Sequence, residues 1–171
     1  VLESASHAAA RGARALGELA GYGASADAGH ITQPSVDGAA SAMAEALRSG
    51  GLAPQDVDYV NAHGTGTKLN DSTEIAAIRR VFGEHAARLS ISSTKSMHGH
   101  AMGASGAIEL AATLLALRHQ TAPPTANYTE PDPECDLDVT PNQARRRPLR
   151  AALTNSFAFG GLNAVLAIRG R

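Results

Sequence analysis

Short extended runs alternate with helical stretches along this chain, and no other feature narrows its possible folds so far. Extended runs read at residues 15–22, 57–62, 89–93, 151–158 and 163–168. Between them, residues 2–14 read as an Ala-rich helix, and residues 27–34 as a loop ending at Pro34. Asp37 is placed to cap a helix with Ala40, Met43 and Leu47 on one face, closed by Gly50-Gly51. Asp71 opens another, with Glu74 three residues later as a capping-box partner and Ile75, Ile78 and Phe82 along one face. Residues 104–117 form a helix that is apolar around most of its circumference, through Ile108, Leu110, Leu114, Leu115 and Leu117; such a helix is expected to be covered on all sides. The last two runs flank Gly160-Gly161 and read as a hairpin. The pattern predicts an α/β fold: a mixed five-stranded sheet, mainly parallel, with an antiparallel hairpin at its edge and helices on both faces.

The core is built almost without aromatics, since there is no Trp and Phe and Tyr make up 4% of the chain. Ala, Leu, Val and Ile must fill it. A length of 171 residues suits one unit with a sizeable core, or half of something larger. A net charge of −1 supplies no electrostatic footprint for nucleic acid or an anionic membrane. With 43% hydrophobic and 18% charged residues, the chain is too apolar to be disordered. No apolar run reaches the ~18 residues of a membrane span, and the N-terminus lacks a signal-peptide pattern, so a cytoplasmic location is expected. Cys135 is the single cysteine, which excludes an internal disulfide and a multi-cysteine metal site. Residue 1 is Val, so a chain that begins partway through a longer protein is expected. Residues 121–148 hold Pro123, Pro124, Pro131, Pro133, Pro141 and Pro148, and read as an ordered connection; Arg145-Arg146-Arg147 at its end reads as a solvated turn.

Three stretches look chemical rather than architectural. In Asn61-Ala62-His63-Gly64-Thr65-Gly66-Thr67 a histidine leaves a strand end, glycines let backbone approach a ligand, and threonines offer hydroxyls. In the second, Lys95, His98 and His100 leave a strand end and run into Gly103-Ala104-Ser105-Gly106. The third, from Asn155 to Asn163, is a glycine turn with Phe159 at its mouth. All three lie at C-terminal strand ends or the turn after one, where sites in open α/β sheets collect. The second stretch lacks the GK[ST] ending of a phosphate-binding loop. A zinc site on His63, His98 and His100 has no evident fourth ligand and would face the Lys95 charge, so no metal is expected. Cys135 sits among acidic residues, where a thiolate is disfavoured, and reads as structural.

Taken together, HGTGT at His63, KSxxGHxxGAxG from Lys95 to Gly106 and NSFxFGGxN from Asn155 to Asn163 resemble, in order, the C-terminal half of a β-ketoacyl synthase of the thiolase superfamily. The likeness runs through all of residues 1–171. It implies one half of a layered α/β/α/β/α architecture. It also implies decarboxylative condensation of malonyl-acyl carrier protein with an acyl group held on a cysteine. By position, His63 and His100 match the histidines that contact the malonyl thioester carbonyl. Lys95 matches the lysine that orients the site, and Glu109 its acidic partner. Phe159 matches the gating phenylalanine, with Gly160 beside it. Thr65 and Thr67, with Thr32 as a weaker match, correspond to threonines that face the phosphopantetheine arm. His98 fills a variable slot. No cofactor of its own is implied, since the arm belongs to the carrier protein. The implied partners are that carrier protein, the N-terminal half, and a second copy or a related subunit.

The family's cysteine nucleophile lies in the N-terminal half, and nothing in this chain replaces it. The chain alone is therefore expected not to condense anything. Ala158 stands where many members have Gly, and Leu162 where Thr is commoner; with Met97-His98 these point toward specialised discrete enzymes for polyene, nodulation-type or polyketide chains. A non-catalytic chain-length-factor partner would tend to lose both histidines. A CoA-dependent thiolase would carry a cysteine in this half within different motifs. A plain binding domain would leave the joint presence of His63, Lys95 and His100 unexplained.

Overall fold

A computed structural model describes all of residues 1–171. Its elements run α1 (Ala5–Ala10), β1 (Gly17–Ala26), α2 (Val36–Ser49), β2 (Val57–Asn61), α3 (Lys68–Phe82), β3 (Ser90–Ser92), α4 (Lys95–His98), α5 (Ser105–His119), β4 (Thr121–Ala122), β5 (Arg145–Arg146), β6 (Ala151–Ala158) and β7 (Leu162–Gly170). Five strands form one mixed sheet in the order β1-β7-β6-β2-β3. β2 pairs in parallel with both β3 and β6, while β6–β7 and β7–β1 are antiparallel. The α/β class and the five strands are as expected. The sheet is not mainly parallel, however, because the pairings divide evenly, and the hairpin sits inside the sheet with β1 covering its outer strand.

β1 is the element the sequence pattern misplaces. It runs on to Ala26, past the expected end at residue 22, with Gly21 and Gly23 inside it. A Cβ on Gly21 would overlap the carbonyl of Ala46, and one on Gly23 that of Ala42. The glycines are therefore interior to the strand and let α2 lie directly on it. The expected long helix over residues 2–14 shrinks to the exposed six-residue α1, which buries no residue. α2 begins two residues earlier than expected: Ser35, not Asp37, is its cap, its hydroxyl accepting from the N–H groups of Asp37 and Gly38.

α2 and α3 cover one face of the sheet around a core of 21 buried residues that includes Met43, Ile78, Ile91, Leu153 and Val165. α5 covers the other face over a smaller cluster of seven, with Tyr59, Leu117, Ala152 and Ile168 at its centre. α5 is not buried all round. Ser105, Glu109, Thr113 and Ala116 face inward, whereas Ile108 is 38% and Leu115 51% exposed. Leu117 is buried as well, and Leu110 and Leu114 pack against the smaller cluster, so only part of the helix's apolar surface faces outward. No helix is long and apolar enough to cross a membrane.

Candidate active site

Because β2, β3 and β6 run parallel, their C-terminal ends open on one edge of the sheet. β2 delivers Asn61 and His63 there, and β3 delivers Ser93, Thr94 and Lys95. Fully buried Asn61 ties the two to α5: its amide donates to Thr94 Oγ1 and Thr113 Oγ1 at 3.2 Å and to the Glu109 carbonyl at 3.3 Å. Lys95 begins α4 and is drawn inward, where its ammonium pairs with Glu109 Oε1 on α5. Both side chains are almost completely buried. A buried pair of this kind loses hydration on both sides, so it persists only when its geometry is fixed by neighbours.

His63 is buried at the mouth of this network. Its ring stands edge-on to His100, with centroids 5.5 Å apart and planes at 84°, and lies 5.8 Å from Phe157. Burial, aided by the charges of Lys95 and His100, pushes the His63 imidazole down to about 3, so the ring is neutral near pH 7. Its Nδ1 makes no hydrogen bond. For His100 the tautomer follows from its surroundings. The Met102 backbone N–H donates to His100 Nδ1 at 3.2 Å, and the Ser105 hydroxyl lies 3.0 Å from the same nitrogen. Nδ1 is thus an acceptor, which leaves the N–H on Nε2. His98 is occupied locally, with its ring nitrogens on the Gly99 carbonyl and Thr94 Oγ1.

The residue that holds the His63 loop is Glu74, which sequence reasoning took for a cap. α3 starts at Lys68, three residues before Asp71, and Glu74 points into the core instead. Its carboxylate accepts from the His63 and Gly64 N–H groups and from the Asn155 amide, each at 2.9 Å. Burial pushes this carboxyl up, against the opposing pull of those three donors. One side chain thereby joins the first motif to the third. The signal in the sequence was that Glu74 lies four residues before Ile78, a spacing that puts it on the face that turns toward the core.

A cavity of about 530 Å³ opens beside this cluster, lined by Gly64, Thr65, Lys95, His100, Tyr128 and Cys135 among others. A neutral His63 imidazole and the His100 Nε2–H offer N–H donors, and a buried ammonium favours negative charge nearby; the combination suits a reaction in which an oxygen becomes an oxyanion.

A family model described as β-ketoacyl synthase, C-terminal domain, matches residues 16–129. Nodulation protein E of Rhizobium meliloti is 60% identical over 169 residues, 99% of this chain and 42% of that protein. The chain belongs to the β-ketoacyl synthase family. A 3-oxoacyl-[acyl-carrier-protein] synthase 2 from Synechocystis is 50% identical over 171 residues, 99% of this chain and 41% of that protein. The solved ishigamide ketosynthase/chain length factor superposes with a TM-score of 0.95 at 47% identity, covering 99% of this chain and 41% of that one. The chain thus spans about two fifths of the length of the relatives it matches.

Within this ketosynthase domain the structure gathers His63, His100, Lys95 and Glu109, as their motif positions imply. Thr65 and Thr67 lie together on the first loop, hydroxyl to hydroxyl at 2.9 Å, with Thr65 at the cavity. Of the expected site residues, Thr65, Lys95 and His100 line that cavity; His63, Thr67, Glu109, Phe159, Gly160 and Thr32 do not. Phe159 is 79% exposed on the β6–β7 turn, and the Gly160 N–H donates to the Ile31 carbonyl, which brings the Thr32 loop against that turn. Gly160 takes φ +84°, a conformation that favours glycine. Cys135, read from the sequence as structural, lines the cavity wall. Burial and then the neighbouring acids, Asp132 first, push its thiol up to about 11, so it is protonated near neutral pH and a poor nucleophile. His100 is exposed in this chain, so these residues alone do not enclose it.

Proposed function

We propose that this chain is the C-terminal half of a 3-oxoacyl-[acyl-carrier-protein] synthase, and that the whole protein carries out decarboxylative Claisen condensation. Malonyl-carrier protein binds with its thioester oxygen between His63 and His100. The carboxylate leaves as carbon dioxide, and the electron pair of the broken C–C bond passes to the thioester as an enolate. Two N–H donors stabilise that charge, and removal of one such donor typically costs ~3–4 kcal/mol, or two to three decades in rate. The enolate carbon then attacks the acyl-cysteine carbonyl and expels the cysteine thiolate, leaving a 3-oxoacyl-carrier protein. Lys95, held by Glu109, orients the site, and Thr65, Thr67 and Thr32 face the phosphopantetheine arm. Phe159 gates the acyl cysteine, and its N–H with Gly160 beside it forms the oxyanion hole for that attack.

The nucleophile comes from an N-terminal half, which also covers the outward Ile108 and Leu115 of α5. The chain alone is inactive. The partners are an acyl carrier protein and either a second copy or a related subunit, in the cytoplasm. One solved neighbour, 42% identical, is a type II polyketide ketosynthase in complex with its acyl-carrier protein. The observation that carries the reading is the pair of imidazoles, ring centroids 5.5 Å apart, beside a buried ion-paired lysine. In a chain-length-factor partner, the alternative, that pair would have no task. The test is carbon dioxide release from labelled malonyl-carrier protein by full-length His63→Ala. Release is expected to fall at least about a hundred-fold while acyl loading of the cysteine stays near wild type. Undiminished release would refute the role.

A further inference from the structure

Ser105 is a buried polar residue beside the site that the family motif does not specify. Ser105 opens α5 at an unspecified position of KSxxGHxxGAxG, is 4% exposed, and its hydroxyl meets a single partner, His100 Nδ1 at 3.0 Å. We propose that Ser105 is a positioning residue: it donates to His100 Nδ1 and holds the imidazole in the tautomer that presents Nε2–H to the thioester oxygen. This rests on the reading of His100 as an enolate donor.

The direction of the bond follows from geometry. The Met102 N–H already points at Nδ1, and Met102 adopts φ +49° to place it there. A proton on Nδ1 would face that N–H, so Nδ1 carries a lone pair and the serine hydroxyl must be the donor. Backbone strain at a non-glycine residue persists only when the surroundings hold it. The Met102 N–H is long and sits on an exposed, strained turn, whereas Ser105 is anchored in the first turn of a packed helix. The hydroxyl is therefore the firmer of the two anchors. It also restrains ring rotation of a histidine that is otherwise exposed.

Full-length Ser105→Ala, Ser105→Thr and His100→Ala are compared for acyl loading and for carbon dioxide release from malonyl-carrier protein. Ser105→Ala is expected to slow release roughly five-fold, the value of one net hydrogen bond, with loading and KM unchanged. Ser105→Thr, which keeps the hydroxyl, is expected to recover most of the rate. Release at the wild-type rate in Ser105→Ala, an equal loss of loading, or no recovery in Ser105→Thr would overturn the proposal. If His100→Ala itself releases carbon dioxide normally, the role of His100 fails first. A slow His100→Ala beside an unaffected Ser105→Ala removes Ser105 alone.

Discussion

The two faces of the sheet are built on opposite rules. Under α2 and α3 the contact is apolar and close: Gly21 and Gly23 bring a strand against a helix backbone, and Met43, Ile78 and Val165 fill the space. Under α5 a small apolar cluster with Ala116 and Leu117 is joined by the inward polar side chains Ser105, Glu109 and Thr113, bonded to His100, Lys95 and Asn61, while Ile108 and Leu115 turn outward. The first face is a scaffold whose stability comes from burial. The second holds polar groups in fixed positions at the expense of burial, and its helix shows an apolar back. An α/β sheet can thus separate the job of holding together from the job of holding a site.

That contrast predicts which substitutions unfold the protein and which disarm it. Glu109→Ala strands a buried ammonium, and an expected loss of about 3–5 kcal/mol in denaturant stability follows. Met43→Ala on the other face opens a cavity and should cost about 2–5 kcal/mol. The two are told apart by repair. Lys95→Met combined with Glu109→Leu is expected to regain most of the stability lost in Glu109→Ala but none of the decarboxylation. Folded Met43→Ala keeps its turnover. Recovery of activity in the doubly apolar variant would erase the distinction between the faces.

A smaller effect comes from pH. His63 is pushed to about 3 in the folded protein, below its ordinary 6.5, so between those values the unfolded chain holds a proton that the folded one lacks. Stability from this group is present above pH 6.5 and is lost as pH falls, on the order of 1–2 kcal/mol by pH 5. Urea midpoints at pH 7 and pH 5 should therefore differ less in His63→Gln than in the parent protein. Equal differences would mean that His63 is solvated.

The sequence was legible where one local rule acted alone. The β2 run, the Gly160-Gly161 hairpin and the two-sided cover of the sheet follow from periodicity and turn residues, and the catalytic-looking histidines follow from strand-end position. Four features depended on partners far along the chain. Gly21 and Gly23 looked like a strand end because their helix neighbour is invisible locally. Glu74 looked like a cap because it sits three residues after Asp71, yet its partners are His63, Gly64 and Asn155. α5 looked uniformly buried because its apolar count hides which face is inward. Cys135 looked merely structural because nothing local shows that the proline-rich connection folds back to the cavity.

The most direct test of the central claim is a double-mutant cycle on carbon dioxide release by the full-length protein, with His63→Ala, His100→Ala and both together. If the two rings hold one enolate, each single variant loses about two to three decades and the double variant loses little more than either. Fully multiplicative losses, or a normal rate in either single variant, would show that the two rings do not act on one oxygen.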